Sequence, residues 1–216
     1  GNSSEYATLP LTPSLSLEIE PPSSLAQSAG PGETVTYTLR LRNPGTIGYT
    51  NLRLNRSGTL SGWTFASTPL ANSVFSLPAG ATRLVTATLR LPAGTDPSAA
   101  AGRVDRTTVQ ITGGPPTVNA AVQLVTTVLP RPVILRTPAT SSGSGRPQTV
   151  VPHAFTLRNN GNVTVTLDIA ARTIDPANSP SGWNTSLSAS VLTLAPGAEG
   201  RLGVSVTVPQ GALQNV

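Results

Sequence analysis

His153 is the only histidine in a chain of 216 residues, and by type it is the side chain best suited to acid–base chemistry near neutral pH. An imidazole acts as a general base when a nucleophile and an orienting acid stand beside it. Nothing near His153 supplies either, and its place after Pro152 reads as an ordinary histidine at the start of a strand. The 9 carboxylates never gather at ligand spacing and no Asp-x-Asp loop occurs, which argues against a Ca²⁺ or Zn²⁺ site. With no Cys there is no thiolate ligand, disulfide or cysteine nucleophile. Gly113 and Gly114, and the pair Gly143 and Gly145, are not followed by a helical pattern, so they read as turns and not as phosphate cradles. The expectation is a protein that is not an enzyme, without catalytic residues, cofactor or metal.

Two tryptophans, Trp63 and Trp183, each follow a Ser-Gly pair. An exposed indole can stack on a sugar ring, but recurrence at the same place in both halves reads as filling the bottom of a sandwich. All 14 basic residues are Arg, and against 9 acids they give a net charge of +5 and a pI near 11.0. Such a balance attracts anionic glycans, lipids or nucleic acids when the cations cluster. Here they are spread along the chain, so they read as solvated surface charge, and no nucleic-acid partner is expected. Asn-x-Ser/Thr sequons begin at Asn2, Asn55, Asn162 and Asn184, a number that a Ser- and Thr-rich chain reaches by chance.

What positions these residues is a repeat. Residues 191–209, VLTLAPGAEGRLGVSVTVP, align without a gap on residues 74–92, VFSLPAGATRLVTATLRLP. Each copy reads as a strand, a tight Gly-Ala corner, a longer strand with period-two alternation, and a closing Pro. Residues 154–161 repeat residues 38–45, the strand after each also recurs, and so does Ser-Gly-Trp. Few aromatics (4%), 20 Gly, 21 Pro and abundant Val and Thr favour strands and turns over helix.

Taken in order, residues 1–13 have no counterpart in the second half. Tyr6, Ala7, Leu9 and Leu11 suggest an extended segment with one apolar side, barred from helix by Pro10 and Pro13. Residues 14–20 read as a strand and 21–32 as a loop. Strands follow at 34–42, 50–55, 106–112 and 118–128. The expected core includes Val35, Tyr37, Leu39, Leu41, Val85, Leu89, Phe155, Leu157, Val204 and Val206. An aspartate at Leu39 or Val206 is expected to unfold its unit. Leu129, Pro130, Arg131 and Pro132 form a stiff junction. The domains are therefore an extension at 1–13, a sandwich at 14–129 and a second at 130–216. No apolar run approaches 18 residues, so no membrane span is expected. A chain that opens on Gly1 and holds no Met reads as processed or trimmed.

Short strands, regular turn signals and a Trp before a hairpin describe an all-β chain of two tandem immunoglobulin-like β-sandwich domains. At residues 37–45, at Ser181, Gly182 and Trp183, and from Leu194 to Pro209, it resembles bacterial immunoglobulin-like modules of the NPCBM-associated alpha-galactosidase type and related cell-surface repeats. The resemblance covers most of both units and departs from the pattern in lacking the last strand of the second. It implies a non-catalytic spacer, an adhesion stalk or a neighbour of a glycan-active enzyme.

Two functions follow. In the first, the chain is a structural subunit of an extracellular filament, pilus or surface layer, a homo-polymer assembled by donor-strand exchange. Tyr6, Ala7, Leu9 and Leu11 of one subunit would pair with an open edge formed by Leu202, Val204, Val206 and Val208 of the next. In the second, the chain is a spacer or glycan-binding module of a larger secreted enzyme or adhesin, with a cell-surface glycan as partner. Both place it outside the cell.

Overall fold

A computed structural model describes residues 14–19, 24–69, 71–114, 117–172 and 182–212. The described residues are all-β, 54% strand and 2% helical. It divides into two units, Gly1–Leu129 and Pro130–Val216.

In unit 1, two sheets enclose one core. Sheet A runs β1 (Ser16–Ile19), β3 (Thr34–Arg42), β7 (Thr82–Arg90), β5 (Thr64–Thr68). Sheet B runs β2 (Ala26–Ala29), β9 (Val118–Val128), β8 (Val104–Gly113), β4 (Tyr49–Ser57), β6 (Val74–Leu77). Alternation fixes which face each strand turns inward, because successive side chains point to opposite sides of a sheet. Along β3, Val35, Tyr37, Leu39 and Leu41 are buried while Thr34, Thr36, Arg40 and Arg42 are exposed. Their partners across β7, with Val35 opposite Leu89, Tyr37 opposite Ala87 and Leu39 opposite Val85, are buried too. Sheet B answers with Leu52, Leu54, Val109, Ile111 and Leu124. Each fully buried Leu, Ile or Val stabilises by about 1.5–3 kcal/mol before ordering costs. Tyr37 joins the sheets: its hydroxyl donates to the Val125 carbonyl at 2.8 Å and lies 2.8 Å from Thr126 Oγ1. A short 3-10 turn, Pro97–Ala99, links β7 to β8.

Unit 2 repeats part of this plan. Sheet C runs β10 (Ile134–Thr137), β11 (Val150–Asn159), β15 (Glu199–Thr207), β13 (Asn184–Leu187). Sheet D pairs β12 (Val165–Asp168) with β14 (Val191–Leu194). Register makes the two units equivalent. Val151 opposite Val206, His153 opposite Val204 and Phe155 opposite Leu202 repeat the three β3–β7 pairs just given. Sheet D corresponds to β4 and β6. Among the described residues, unit 2 has no counterpart of β8 and β9.

Four expectations are corrected. Residues 26–29 are not loop but β2, paired parallel to β9. Ala-Gln-Ser-Ala has no β-branched signal, and its neighbour in the sheet imposes the strand. Val204 and Val206 do not form an open edge, because β15 is paired there with β11 on one side and β13 on the other, while Leu202 pairs with Phe155 of β11 and Val208, just after the strand, donates its N–H to the Thr149 carbonyl. His153 lies within β11 and not at a strand start. Trp183 does not fill the bottom of a sandwich: it is 40% exposed, where Trp63 is 7% exposed and donates its Nε1–H to the Ser98 carbonyl. Tyr6, Ala7, Leu9 and Leu11 lie outside the described residues.

Candidate functional site

The feature that separates the two units is the inner face of sheet C. In unit 1 the equivalent face is covered by β8 and β9, and Val35, Tyr37, Leu39, Val85, Ala87 and Leu89 are shut from solvent. In unit 2, Val151, His153, Phe155, Val204 and Val206 are only half-buried, while Leu157, Leu202 and Val208 are buried. An open groove of about 1030 Å³ follows from this, lined by Val151, His153, Val206, Val208, Trp183 and the Gly143 to Pro147 loop.

Two polar residues stand where unit 1 is apolar or closed. Arg136 pairs with Leu157 as Leu17 pairs with Leu41, so an arginine takes the place of a buried leucine. Its guanidinium lies 5.7 Å from the centre of the Phe155 ring, a cation–π distance, and donates to the Ala139 carbonyl. His153 takes the place of Tyr37, and its Nδ1 lies 2.8 Å from Ser141 Oγ.

A hydroxyl beside an imidazole is half of an acyl-transfer site, so the pair merits a chemical test. A working triad needs an acid that holds the ring and donors for the oxyanion. Among the described residues no carboxylate is hydrogen-bonded to His153, and both partners hang at the margin of an open groove. The contact orients the ring. Among the described residues no group of three potential metal ligands occurs, and no helix is long and apolar enough to cross a membrane.

The sequons separate by burial. Asn162 is buried and its Oδ1 accepts the Arg131 N–H at 2.7 Å, so it is closed to modification. Asn184 is exposed.

Among the described residues one edge of β12 is unpaired, which the sequence reading did not find. In unit 1, β4 pairs with β6 on one side and β8 on the other. Its equivalent β12 pairs with β14 alone among the described residues. Alternation along residues 163–169 shows which side chains face inward, but a strand's own sequence does not say whether a neighbour is present.

Comparison with known proteins adds the following. No curated protein matches the chain. A family 123 glycoside hydrolase from Clostridium perfringens that hydrolyses glycolipid glycans is similar in structure with TM-score 0.37 and 12% identity, over 48% of this chain and 22% of that one. The chain thus spans about a fifth of that hydrolase. An ASH / PapD-like domain of human CEP192 gives TM-score 0.36 and 14% identity, over 60% of this chain and 93% of that one. A protein of unknown function from Porphyromonas gingivalis gives TM-score 0.32 and 13% identity, over 89% and 80%. Residues 29–112, most of unit 1, match the family model of the NPCBM-associated, NEW3 domain of alpha-galactosidase.

Proposed function

We propose that this chain is a non-catalytic spacer of a secreted or cell-surface protein, carrying glycan-active or adhesive partners at a set distance from one another. The family match over residues 29–112 carries the reading, since that domain accompanies an alpha-galactosidase. The absence of a converging acid, base and nucleophile among the described residues agrees with it.

The joint supports a spacer as well. The Leu129 N–H donates to the Ala29 carbonyl inside unit 1. The Arg131 N–H donates to Asn162 Oδ1 inside unit 2. Pro130 stands between these two bonds, and its ring fixes φ. A joint this short restricts torsional freedom far more than a flexible Gly/Ser linker does.

Two measurements test the reading. Incubation with α- and β-glycosides of varied aglycone should give no turnover; hydrolysis abolished by His153→Ala would refute it. Nuclear relaxation should show the two units tumbling with coupled correlation times. Insertion of a Gly-Ser tract after Pro130 should uncouple them, and a wild-type chain whose units already tumble independently would leave the spacer without its stiffness.

A further inference from the structure

Asn160 and Gly161 form the only Asn-Gly pair in the chain. In such a pair the glycine nitrogen can attack the asparagine Cγ, because no Cβ on the glycine stands in the way. The N–Cγ bond forms and the Cγ–Nδ2 bond breaks. The glycine nitrogen gives its proton to solvent base, and Nδ2 takes one from solvent and leaves as ammonia. Water then opens the succinimide in one of two ways. Attack at Cγ leaves an aspartate, while attack at the main-chain carbonyl leaves an isoaspartate, whose chain runs through Cβ and Cγ. Water and its ions are the only co-reactants.

The fold treats the two reacting groups differently. The nucleophile is tied: Gly161 is buried and its N–H donates to Asn159 Oδ1 at 2.9 Å. Asn159 is fully buried in turn, its Nδ2 donating to the Val163 and Leu194 carbonyls at 2.8 and 2.9 Å. The electrophile is not tied, since Asn160 Oδ1 is buried and has no hydrogen-bond partner among the described residues. Control therefore rests on the nitrogen, which solvent base reaches only when the Asn159 contact opens. Unit 1 makes the same turn, with the Gly45 N–H on Asn43 Oδ1 at 3.1 Å. There Pro44 stands in the place of Asn160, and it has no side-chain amide to lose.

What the pair holds gives its modification a consequence. The Asn160 N–H donates to the Val133 carbonyl at 2.8 Å, and the Asn162 N–H to the Arg131 carbonyl at 3.2 Å. Between these bonds Gly161 lies close against the same segment. A Cβ on it would collide with the Arg131 carbonyl and stand 2.7 Å from the Val133 nitrogen. An aspartate at 160 would put a charge where Oδ1 is buried, which is costly without a partner. An isoaspartate would lengthen the chain by an extra carbon between two bonds that depend on its present spacing. We propose that Asn160 is a site of spontaneous deamidation, latched by Asn159, and that its conversion releases residues 131–133 from unit 2. The step is one-way, because the ammonia is lost to solvent. This goes beyond the spacer reading and does not depend on it.

Incubation of the full chain at mildly alkaline pH, with and without denaturing urea, tests the proposal. Peptide mapping by mass spectrometry follows Asn160, and enzymatic methylation of isoaspartate reports the rearranged product. In urea Asn160 should convert before any other asparagine, and in the folded chain about tenfold or more slowly than in urea. Low urea should raise conversion and Gly161 amide exchange in parallel, because one opening governs both. Asn159→Ala should speed native conversion by about tenfold, the factor that one lost buried hydrogen bond gives. Leu202→Ala, which removes a buried side chain of unit 2 and leaves the Asn159 contacts in place, should not. The converted chain should exchange its amides at residues 160 and 162 faster than the parent, with unit 1 unchanged. Equal rates with and without urea, or an Asn159→Ala chain no faster than Leu202→Ala, would overturn the latch. Another asparagine converting first in urea would overturn the site, and parent-like exchange at 160 and 162 after conversion would overturn the release. Should Asn159→Ala fail to fold, the parent decides alone: conversion that does not track Gly161 exchange overturns the proposal.

Discussion

Asn43 and Asn159 close the same ring of hydrogen bonds, one in each unit. Asn43 Nδ2 donates to the carbonyls of Ile47 at 2.7 Å, Pro78 at 3.0 Å and Leu77 at 3.3 Å, and Oδ1 accepts the Gly45 N–H at 3.1 Å. Asn159 donates to Val163 at 2.8 Å and Leu194 at 2.9 Å and accepts the Gly161 N–H at 2.9 Å. Leu77 ends β6 and Leu194 ends β14, so in each unit one side chain at the end of a strand pins the opposite sheet. A buried amide this fully paired is structural: an unpaired one would be destabilising. Asn43→Ala should lower the stability of unit 1, and Asn159→Ala that of unit 2, by about 1–3 kcal/mol each. Denaturant unfolding followed at Trp63 and Trp183 separates the two transitions. Asp at either position keeps the shape and loses the donors, so it should be no better than Ala.

Asp105 is a fully buried carboxylate with two partners: the Leu60 N–H at 2.8 Å and the Thr107 hydroxyl at 2.7 Å. Thr107 in turn lies 2.8 Å from Thr59 Oγ1. The acid therefore holds the turn after β4 against β8. Asp105→Ala leaves the Leu60 N–H without its partner and takes from Thr107 one of its two hydrogen bonds, so it should cost unit 1 about 1–3 kcal/mol. Gly58 in the same turn has φ +83, and a Cβ there would collide with the Arg106 carbonyl. Gly58→Ala should destabilise unit 1 as well, by strain and not by loss of a bond. Equal unfolding midpoints for these variants and the parent would contradict this account.

Alkaline pH should act on unit 1 through Tyr37. Burial raises its pKa above the ordinary phenol value of 10.0; the Thr126 hydrogen bond opposes the shift and the Asp105 charge adds to it. A folded-state pKa above the unfolded one means that the neutral phenol is favoured by folding. Its contribution is fully present below the unfolded value near 10 and is lost as pH rises through the higher folded value. Tyr37→Phe removes the cross-sheet bond, so it should be less stable at neutral pH by about 1 kcal/mol. The variant should also lose part of the alkaline decline. Urea midpoints measured at neutral pH and above pH 10 read both effects.

How much of this was legible in the sequence depends on which neighbour decides. Period-two alternation in residues 34–42 and 118–128 reproduces β3 and β9 to the residue, because one buried face is enough to write that pattern. β2 was missed because its strand state comes from parallel pairing with β9, 99 positions away in register at Ala26 and Val125. Trp63 and Trp183 share a sequence context but not an environment. Trp63 is capped by Ser98 of the 3-10 turn, and the residues aligned with that turn lie outside the described part of unit 2. His153 looked unremarkable because its role follows from standing where Tyr37 stands, and only register reveals that equivalence.

Leu89 and Val206 occupy the same position in the two units, opposite Val35 and Val151. The alternation of both strands predicts the same fate for an aspartate at either. The structure separates them. Leu89 is fully buried between two sheets, while Val206 is half-buried on the groove, where a carboxylate keeps part of its water. An unpaired charge in a closed core costs several kcal/mol, a large share of the stability of an ordinary domain. Leu89→Asp should therefore unfold unit 1. Val206→Asp should leave unit 2 folded in dilute solution, with a loss of about 1–2 kcal/mol, the order expected for giving up part of one aliphatic side chain's burial. Amide spectra of the two variants read the outcome directly: dispersion lost for the unit 1 resonances in the first, and retained for unit 2 in the second. Collapse of unit 2 in Val206→Asp would show that its inner face is closed.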